Sequence, residues 1–292
     1  MLTTKIGIIG GSGIYDISGV QNGKWEKITT PFGKPSDELF TGALHGIDIA
    51  FLPRHGRGHQ FSPSSVPYLA NIYALKSIGV TDIVSFSAVG SLRADYKPGE
   101  LIIIDQFIDR TFSRQKSFFT KGCVAHVSMA VPVCDRLSTL SKEVLDYLNL
   151  PYHSSGTYLA MEGPQFSTLA ESQMYKNSWG CDVIGMTNMP EAKLIREAEI
   201  CYTSIGMVTD FDCWHPGHKD VEVSEIIKTA SQNVIAAKSF INRIVQEISK
   251  NRTPCVQGCD VALENAIISD KSKIDAFEKK RMPCITDRIL SN

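Results

Sequence analysis

Two carboxylates stand one residue apart in Thr209-Asp210-Phe211-Asp212, directly after the apolar run Ile200 to Val208. On extended chain, residues two apart point to the same side. If both enter an apolar pocket, desolvation and mutual repulsion raise the pKa of at least one, producing a carboxylic acid able to donate a proton. A solvated loop pair is the commoner fate of an isolated D-x-D. A divalent cation would need further acids in a metal-loop pattern, and none lies nearby.

Other strand ends carry different chemistry. Arg54-His55-Gly56-Arg57-Gly58-His59 offers a rigid guanidinium fork for phosphate oxygens, histidine donors beside it, and glycines that let an anion approach the backbone. His55 and His59 have the spacing of a shared helical metal site, but flanking glycines and the missing third ligand argue against one, and no metal is expected. Ser87-Ala88-Val89-Gly90-Ser91 ends a further run. Gly10-Gly11-Ser12-Gly13 follows the first, where glycines aim successive N–H groups at an anion and a serine adds a donor. A plain strand-ending turn explains those glycines equally well. A dinucleotide turn does not, because Asp16 stands where the third glycine would be needed. Glu162-Gly163-Pro164-Gln165-Phe166 places an aromatic where it could stack on a flat ligand, and Met186-Thr187 ends another run. Three clusters at strand ends point to a small, polar, anionic ligand beyond the carboxyl edge of a sheet.

The elements that position these clusters are short Ile/Val-rich runs. Lys5–Ile9, Ile47–Leu52, Asp82–Ala88, Leu101–Ile104, Tyr158–Met161, Asp182–Met186 and Ile200–Thr209 read as strands, several apolar on successive residues, as in a sheet covered on both faces. The clearest helix runs from about Ser224 to Ile248, with Ile226, Ile227, Ala230, Val234, Ala237, Ile241, Ile244, Val245 and Ile248 along one face. Pro67–Ile78 and Ser167–Trp179 are shorter candidates, and Pro190 opens another. Strands alternating with helices predict an α/β layered fold. Residues 1–250 read as a single domain, and 251–292 as a C-terminal helical appendage packed on that domain or on a neighbouring subunit.

Thirty basic against thirty-one acidic residues leave a net charge of −1. Polyanion binders carry clustered excess cations, so neither nucleic acid nor a membrane surface is an expected partner. No apolar stretch is long enough to span a bilayer and no secretory pattern precedes the first strand, so a cytoplasmic protein is expected. Eight cysteines are too sparse for a disulfide scaffold. Buried reduced thiols are the expectation, with Cys255 and Cys259 as a disulfide or metal pair the lesser alternative.

Taken together, these segments resemble the methylthioadenosine phosphorylase branch of the trimeric purine nucleoside phosphorylase family. The stretches that carry the resemblance are Gly7 to Gly13, Thr30 to Ser36, Pro53 to Arg57, Gly90 to Leu92, Ile104 to Arg110, Glu162 to Pro164, Ala170 to Ser172 and Thr209 to Trp214. The resemblance implies a three-layer nucleoside phosphorylase fold, a central mixed β-sheet flanked by helices on both faces. It implies phosphorolysis of 5′-methylthioadenosine to adenine and 5-methylthioribose 1-phosphate, with 6-oxopurine nucleosides such as methylthioinosine or inosine as the alternative. No cofactor is implied, inorganic phosphate being a co-substrate. A homotrimer is implied, with a dimer of trimers as a variation.

By the same resemblance Ser12, Arg54, His55, Ser87, Ala88 and Thr187 hold phosphate. Met186 lies against the ribose, and Phe166, Ser167 and His59 line the nucleoside. Asp210 shares or donates a proton at N7, and Asp212 accepts from the 6-amino group. Asp210 is also the specificity clue, because a carboxylate facing the 6-position repels a 6-oxo group, where relatives acting on 6-oxopurines carry asparagine-type partners. Val223, Ile226 and Ile227 form an apolar wall that favours 5′-methylthio over hydroxyl. His126 matches a residue supplied by a neighbouring subunit. Gln165 and Leu169 stand where close relatives carry arginine, and Ser87 replaces a frequent threonine.

Overall fold

The apolar runs become strands because both of their faces are covered. The computed structural model describes residues 4–11, 14, 17–216, 223–250 and 253–290. Ser12, Gly13 and Tyr15 lie outside the described residues, as does the side chain of Val223. In chain order the strands are β1 (Lys5–Gly10), β2 (Gln21–Glu26), β3 (Leu39–Leu44), β4 (Ile47–Pro53), β5 (Asp82–Ser91), β6 (Leu101–Ile104), β7 (Gln106–Asp109), β8 (Tyr152–His153), β9 (Thr157–Ala160), β10 (Val183–Gly185) and β11 (Cys201–Asp210). The helices are α1 (Tyr68–Ser77), α2 (Asp135–Tyr147), α3 (Leu169–Asn177), α4 (Asn188–Glu197), α5 (Val223–Lys250), α6 (Ala276–Arg281) and α7 (Pro283–Leu290).

All strands join one mixed sheet. Its centre is parallel: β1 pairs with β4 and β5, and β5 pairs with β11. Strand alternation divides the core into two layers. Ile6, Ile8, Val84 and Phe86 face α2 and α5, packing on Leu137, Val144, Phe240, Ile241 and Val245. Ile9, Ile83 and Val89 belong to the opposite layer, with α1, α4 and α7 contributing Ile72, Leu194, Ile195 and Ile285. The result is helix, sheet, helix.

Because β1, β4, β5 and β11 run in the same direction, Gly10, Arg54, Ser87 to Ser91 and Asp210 emerge at one edge. The antiparallel pairing of β10 with β5 sets Ile184 opposite Gly90. Continuing that register carries Met186 and Thr187 alongside Ala88 and Ser87, and the Ser87 and Thr187 hydroxyls stand 3.2 Å apart.

Several elements differ from the sequence reading. The strand expected over Asp182–Met186 shortens to β10, and β5 extends to Ser91. The hairpin β2–β3 escapes an apolar-run reading because β2 is largely exposed along QNGKWE. Helix α2 also escapes it, its buried positions being Leu137, Ser141, Val144 and Leu145 among polar neighbours. Residues 253–290 form short helical turns whose Leu263, Ile274, Met282 and Ile285 are buried in the same layer as α1.

Candidate active site

At the carboxyl edge of β1, β5 and β11 lies a cavity of about 670 Å3. Arg54, His55, His59, Ser87, Ala88 and Thr187 line one end, Phe166, Asp210 and Asp212 another, and Ile226, Ile227, Ala230 and Val234 a wall from the first turns of α5. Met186 lies between. Ala88 is exposed within a strand otherwise buried over its first six residues, because its side faces this space.

Arg54 leaves β4 almost fully buried and is held by a partner far away in sequence. Its Nε and Nη2 donate to the two carboxylate oxygens of Glu191 at 2.7 and 3.0 Å, and Nη1 donates to the Phe86 carbonyl at 2.8 Å. A longer contact of 3.4 Å reaches Ser85 Oγ. Four of the five guanidinium N–H donors therefore have acceptors among the described residues, leaving one on Nη1 for a ligand at the cavity. Burial opposes the charge, but Glu191 holds Arg54 above its ordinary pKa. The Arg54 charge is thus neutralised by Glu191 before any ligand arrives.

His55 differs from the donor expected of it. Nδ1 lies 2.8 Å from the Phe61 carbonyl, an acceptor only, so Nδ1 carries the hydrogen. Burial first, and then the Arg54 charge, push the ring down to about 4, so it is neutral near pH 7 and its second nitrogen is an acceptor. A monohydrogen phosphate carries a P–OH proton that suits such a nitrogen. His59, at φ +55, stacks on His55 with centroids 4.3 Å apart.

The carboxylate pair is shaped by a break in pairing. The β5/β11 register slips between Val208 and Asp210, bringing Asp210 opposite Gly90. A Cβ on Gly90 would stand 2.9 Å from Asp210 Oδ1, so only glycine leaves room there. Asp210 accepts from the Asp212 N–H at 2.8 Å and from the Thr209 hydroxyl at 2.7 Å. Asp212, at φ +50 and buried, accepts from the Ser167 hydroxyl at 3.1 Å. Burial first, and Asp210 beside it, raise the Asp212 carboxyl above its ordinary range. Ser167 thus reaches the site through Asp212. It precedes the capping box of α3, in which Thr168 Oγ1 accepts from Glu171 N and the Glu171 carboxylate accepts from Thr168 N.

Some residues were missed by the sequence reading. His126, expected from a neighbouring subunit, is not among the residues lining this chain's own cavity; its N–H donates to the Ala266 carbonyl at 2.8 Å and its side chain is exposed. Arg114 and Glu191, unmarked by any sequence pattern, frame the site. Arg114 donates to the carbonyls of Met186, Met189 and Glu162, joining the turns that carry Met186 and Phe166. Glu162 is held down at about 2, hydrogen bonds from Ser113 and Ser64 outweighing its burial. An unpaired buried arginine is costly, so Arg54 itself was the signal for a buried acid, but not for which one. The expectation of no metal was argued from local spacing. Among the described residues one group of ligand-type side chains does converge, Cys134, Cys201, Cys255 and Cys259.

Comparison with known proteins defines the class. The profile of the Phosphorylase superfamily matches residues 5–246, and the chain belongs to that family. It is 54% identical over 289 residues to an S-methyl-5′-thioadenosine phosphorylase of Cereibacter sphaeroides, covering 99% of each chain. To the protein of the same name from Rhodospirillum rubrum it is 52% identical over 285 residues, covering 98% of this chain and 97% of that one. A crystal structure of a methylthioadenosine phosphorylase from an Antarctic soil metagenomic library superposes with a TM-score of 0.92 at 44% identity, covering 97% of this chain and 99% of the other. The Schistosoma mansoni methylthioadenosine phosphorylase in complex with adenine gives 0.86 at 33% identity, covering 91% and 99%.

Proposed function

We infer that the chain is a pentosyltransferase that cleaves 5′-methylthioadenosine with inorganic phosphate, releasing adenine and 5-methylthioribose 1-phosphate. The observation that carries this reading is the Asp210–Asp212 pair, half-buried and buried respectively, at one end of a cavity whose other end presents hydroxyls, a neutral histidine and a paired arginine. Relatives of that name at about half identity over nearly the whole chain support it.

In the reaction a phosphate oxygen forms a bond to C1′ as the C1′–N9 bond breaks, and the N9 electron pair leaves with the purine. The departing base gains a proton at N7. Ser87, Thr187, the remaining Arg54 N–H and the backbone at Ala88 orient phosphate, with Ser12 completing that set, while His55 takes the P–OH hydrogen bond. Asp210 faces N7 and Asp212 the 6-amino group, and the proton that N7 gains is delivered through Asp210. Phe166 stacks near the base, His59 lines the nucleoside and Met186 packs on the ribose. Fixed groups aimed at developing charge supply the catalysis, so no cofactor is needed.

Ile226, Ile227 and Val223 take the 5′ group. Within that wall the Ser231 hydroxyl donates to the Ile227 carbonyl at 2.8 Å. A 5′-hydroxyl would find little to satisfy it, a handicap of about 10–200-fold. The working form is a homotrimer, alone or as a dimer of trimers, in which a neighbour's copy of His126 closes the site. Among the described residues no helix is long and apolar enough to cross a membrane. A cytoplasmic location remains part of this proposal. Product analysis with methylthioadenosine, adenosine and inosine, each with and without phosphate, tests the reading. Phosphate-dependent adenine release from methylthioadenosine is expected; intact methylthioadenosine with cleavage of inosine would overturn it.

A further inference from the structure

At the far end of β11 from Asp210, about 30 Å along the strand, four cysteines from three distant segments converge. Cys134 is the N-cap of α2, Cys201 opens β11, and Cys255 and Cys259 flank a turn at the start of the C-terminal segment. Their sulfur atoms all lie within 4.8 Å of one another, and Cys134 Sγ stands 3.7 Å from Cys255 Sγ. A disulfide would require about 2.05 Å. Four sulfurs at about 2.3 Å from a tetrahedral Zn2+ are separated by about 3.8 Å.

We propose that Cys134, Cys201, Cys255 and Cys259 form a tetrahedral four-sulfur site for a structural Zn2+ that fastens the C-terminal segment to the α/β core. The backbone supports this arrangement independently. The Cys134 N–H donates to the Tyr202 carbonyl at 2.8 Å, fixing the first two sulfur-bearing residues side by side. The Gly258 N–H closes a turn onto the Cys255 carbonyl at 2.8 Å, and Gly258 takes φ +69, so the turn returns Cys259 towards Cys255. The Cys255 N–H donates to Asp260 at 3.0 Å, and Gln257 accepts from the Asp135 N–H at 2.6 Å, locking this turn to α2. All four residues are buried, with Cys255 nearest solvent at 9% exposure.

The surroundings suit the charge such a site carries. Four thiolates on one Zn2+ leave two negative charges, and binding releases up to four protons. Cys134 caps the positive end of α2. Arg136 uses one nitrogen on Asp82, while its Nε and Nη1 are buried with no hydrogen-bond partner among the described residues and lie beside the Cys201 sulfur, which as a thiolate would accept from them. Arg196 lies near Cys259. Local spacing could not show the site, because Cys134 and Cys201 complete the C-x-x-x-C pair only after folding.

The test uses the full-length, untagged chain, made in zinc-supplemented medium and purified under reducing conditions without chelator. Elemental analysis should give about one zinc per chain. The Cys255→Ser/Cys259→Ser double variant should lose at least nine-tenths of it, with kcat for phosphorolysis unchanged within about two-fold. Cobalt loading of the wild type should give thiolate-to-metal charge-transfer absorption, absent from the double variant. If the variant fails to fold, stepwise thiol modification of the wild type replaces it: zinc release should track labelling of these four cysteines, located by mass spectrometry. Zinc-free protein with four alkylatable thiols, a mass lowered by disulfide formation among them, iron in place of zinc, or zinc retained by the double variant would each overturn the proposal.

Discussion

The two ends of the cavity are both governed by burial, yet burial shifts their titrating groups in opposite directions. At the phosphate end burial strips the proton from His55, pushing it down to about 4. At the other end burial raises the Asp212 pKa, opposing its charged form. Desolvation penalises whichever form is charged, so it lowers the pKa of a histidine and raises that of a carboxyl. The strong charges nearby are treated differently too. Arg54 has its counter-ion built in as Glu191, whereas among the described residues the Asp pair is held by hydrogen bonds from Ser167, Thr209 and the Asp212 N–H. The Arg54 end is thus locally neutral, while at the other end burial opposes the charged form of Asp212. Each end can therefore be perturbed separately.

The largest expected effect is at the base end. Asp210→Ala should lower kcat with methylthioadenosine by about 10²–10⁴-fold, the range for a positioned proton-transfer group, while leaving phosphate KM within a few-fold. Steady-state kinetics varying each substrate in turn checks this, and parallel changes in phosphate KM would break the separation. Next, Glu191→Ala leaves Arg54 buried and unpaired, and should cost about 3–5 kcal/mol in urea unfolding. A smaller loss would mean that the phosphate end is not held by this pair.

Acidification gives the third effect. An unfolded histidine binds its proton below about 6.5, but His55 in the fold waits until about 4. Its contribution is therefore complete above the unfolded value and is lost as pH falls from 6.5 towards 4, by up to about 3 kcal/mol. His55→Gln should flatten that slope in urea midpoints. Asp212 gives the opposite slope: the fold keeps its proton longer than the unfolded chain, so stability declines as pH rises through the raised pKa, and Asp212→Asn should remove this decline. The smallest effect is Thr187→Ala, which should raise phosphate KM about ten-fold, one hydrogen bond to a charged group, without changing selectivity among purines.

Much of this was legible in the sequence because parallel strands buried on both faces read as unbroken apolar runs. β1, β5 and β11 appear that way, and the residues just past their ends are the ones that meet in the cavity. Partners distant in sequence were not legible. Nothing near Arg54 names Glu191, 137 residues on, and nothing near Met186 names Arg114. The sign of the His55 perturbation also depends on the Phe61 carbonyl and on burial, neither of which has a residue-type signature. The strand β2 was missed for the reverse reason, its exposed polar side chains leaving no apolar run to read.

The most direct test of the two-ended account is the ratio of kcat/KM for methylthioadenosine to that for methylthioinosine, in the wild type and in Asp212→Asn, with phosphate KM measured for both. The account predicts that Asp212→Asn lowers the ratio by at least about ten-fold, since a donor replaces an acceptor at the 6-position, and leaves phosphate KM in place. An unchanged ratio, or a phosphate KM that moves with it, would contradict the assignment of purine recognition to this end of the cavity.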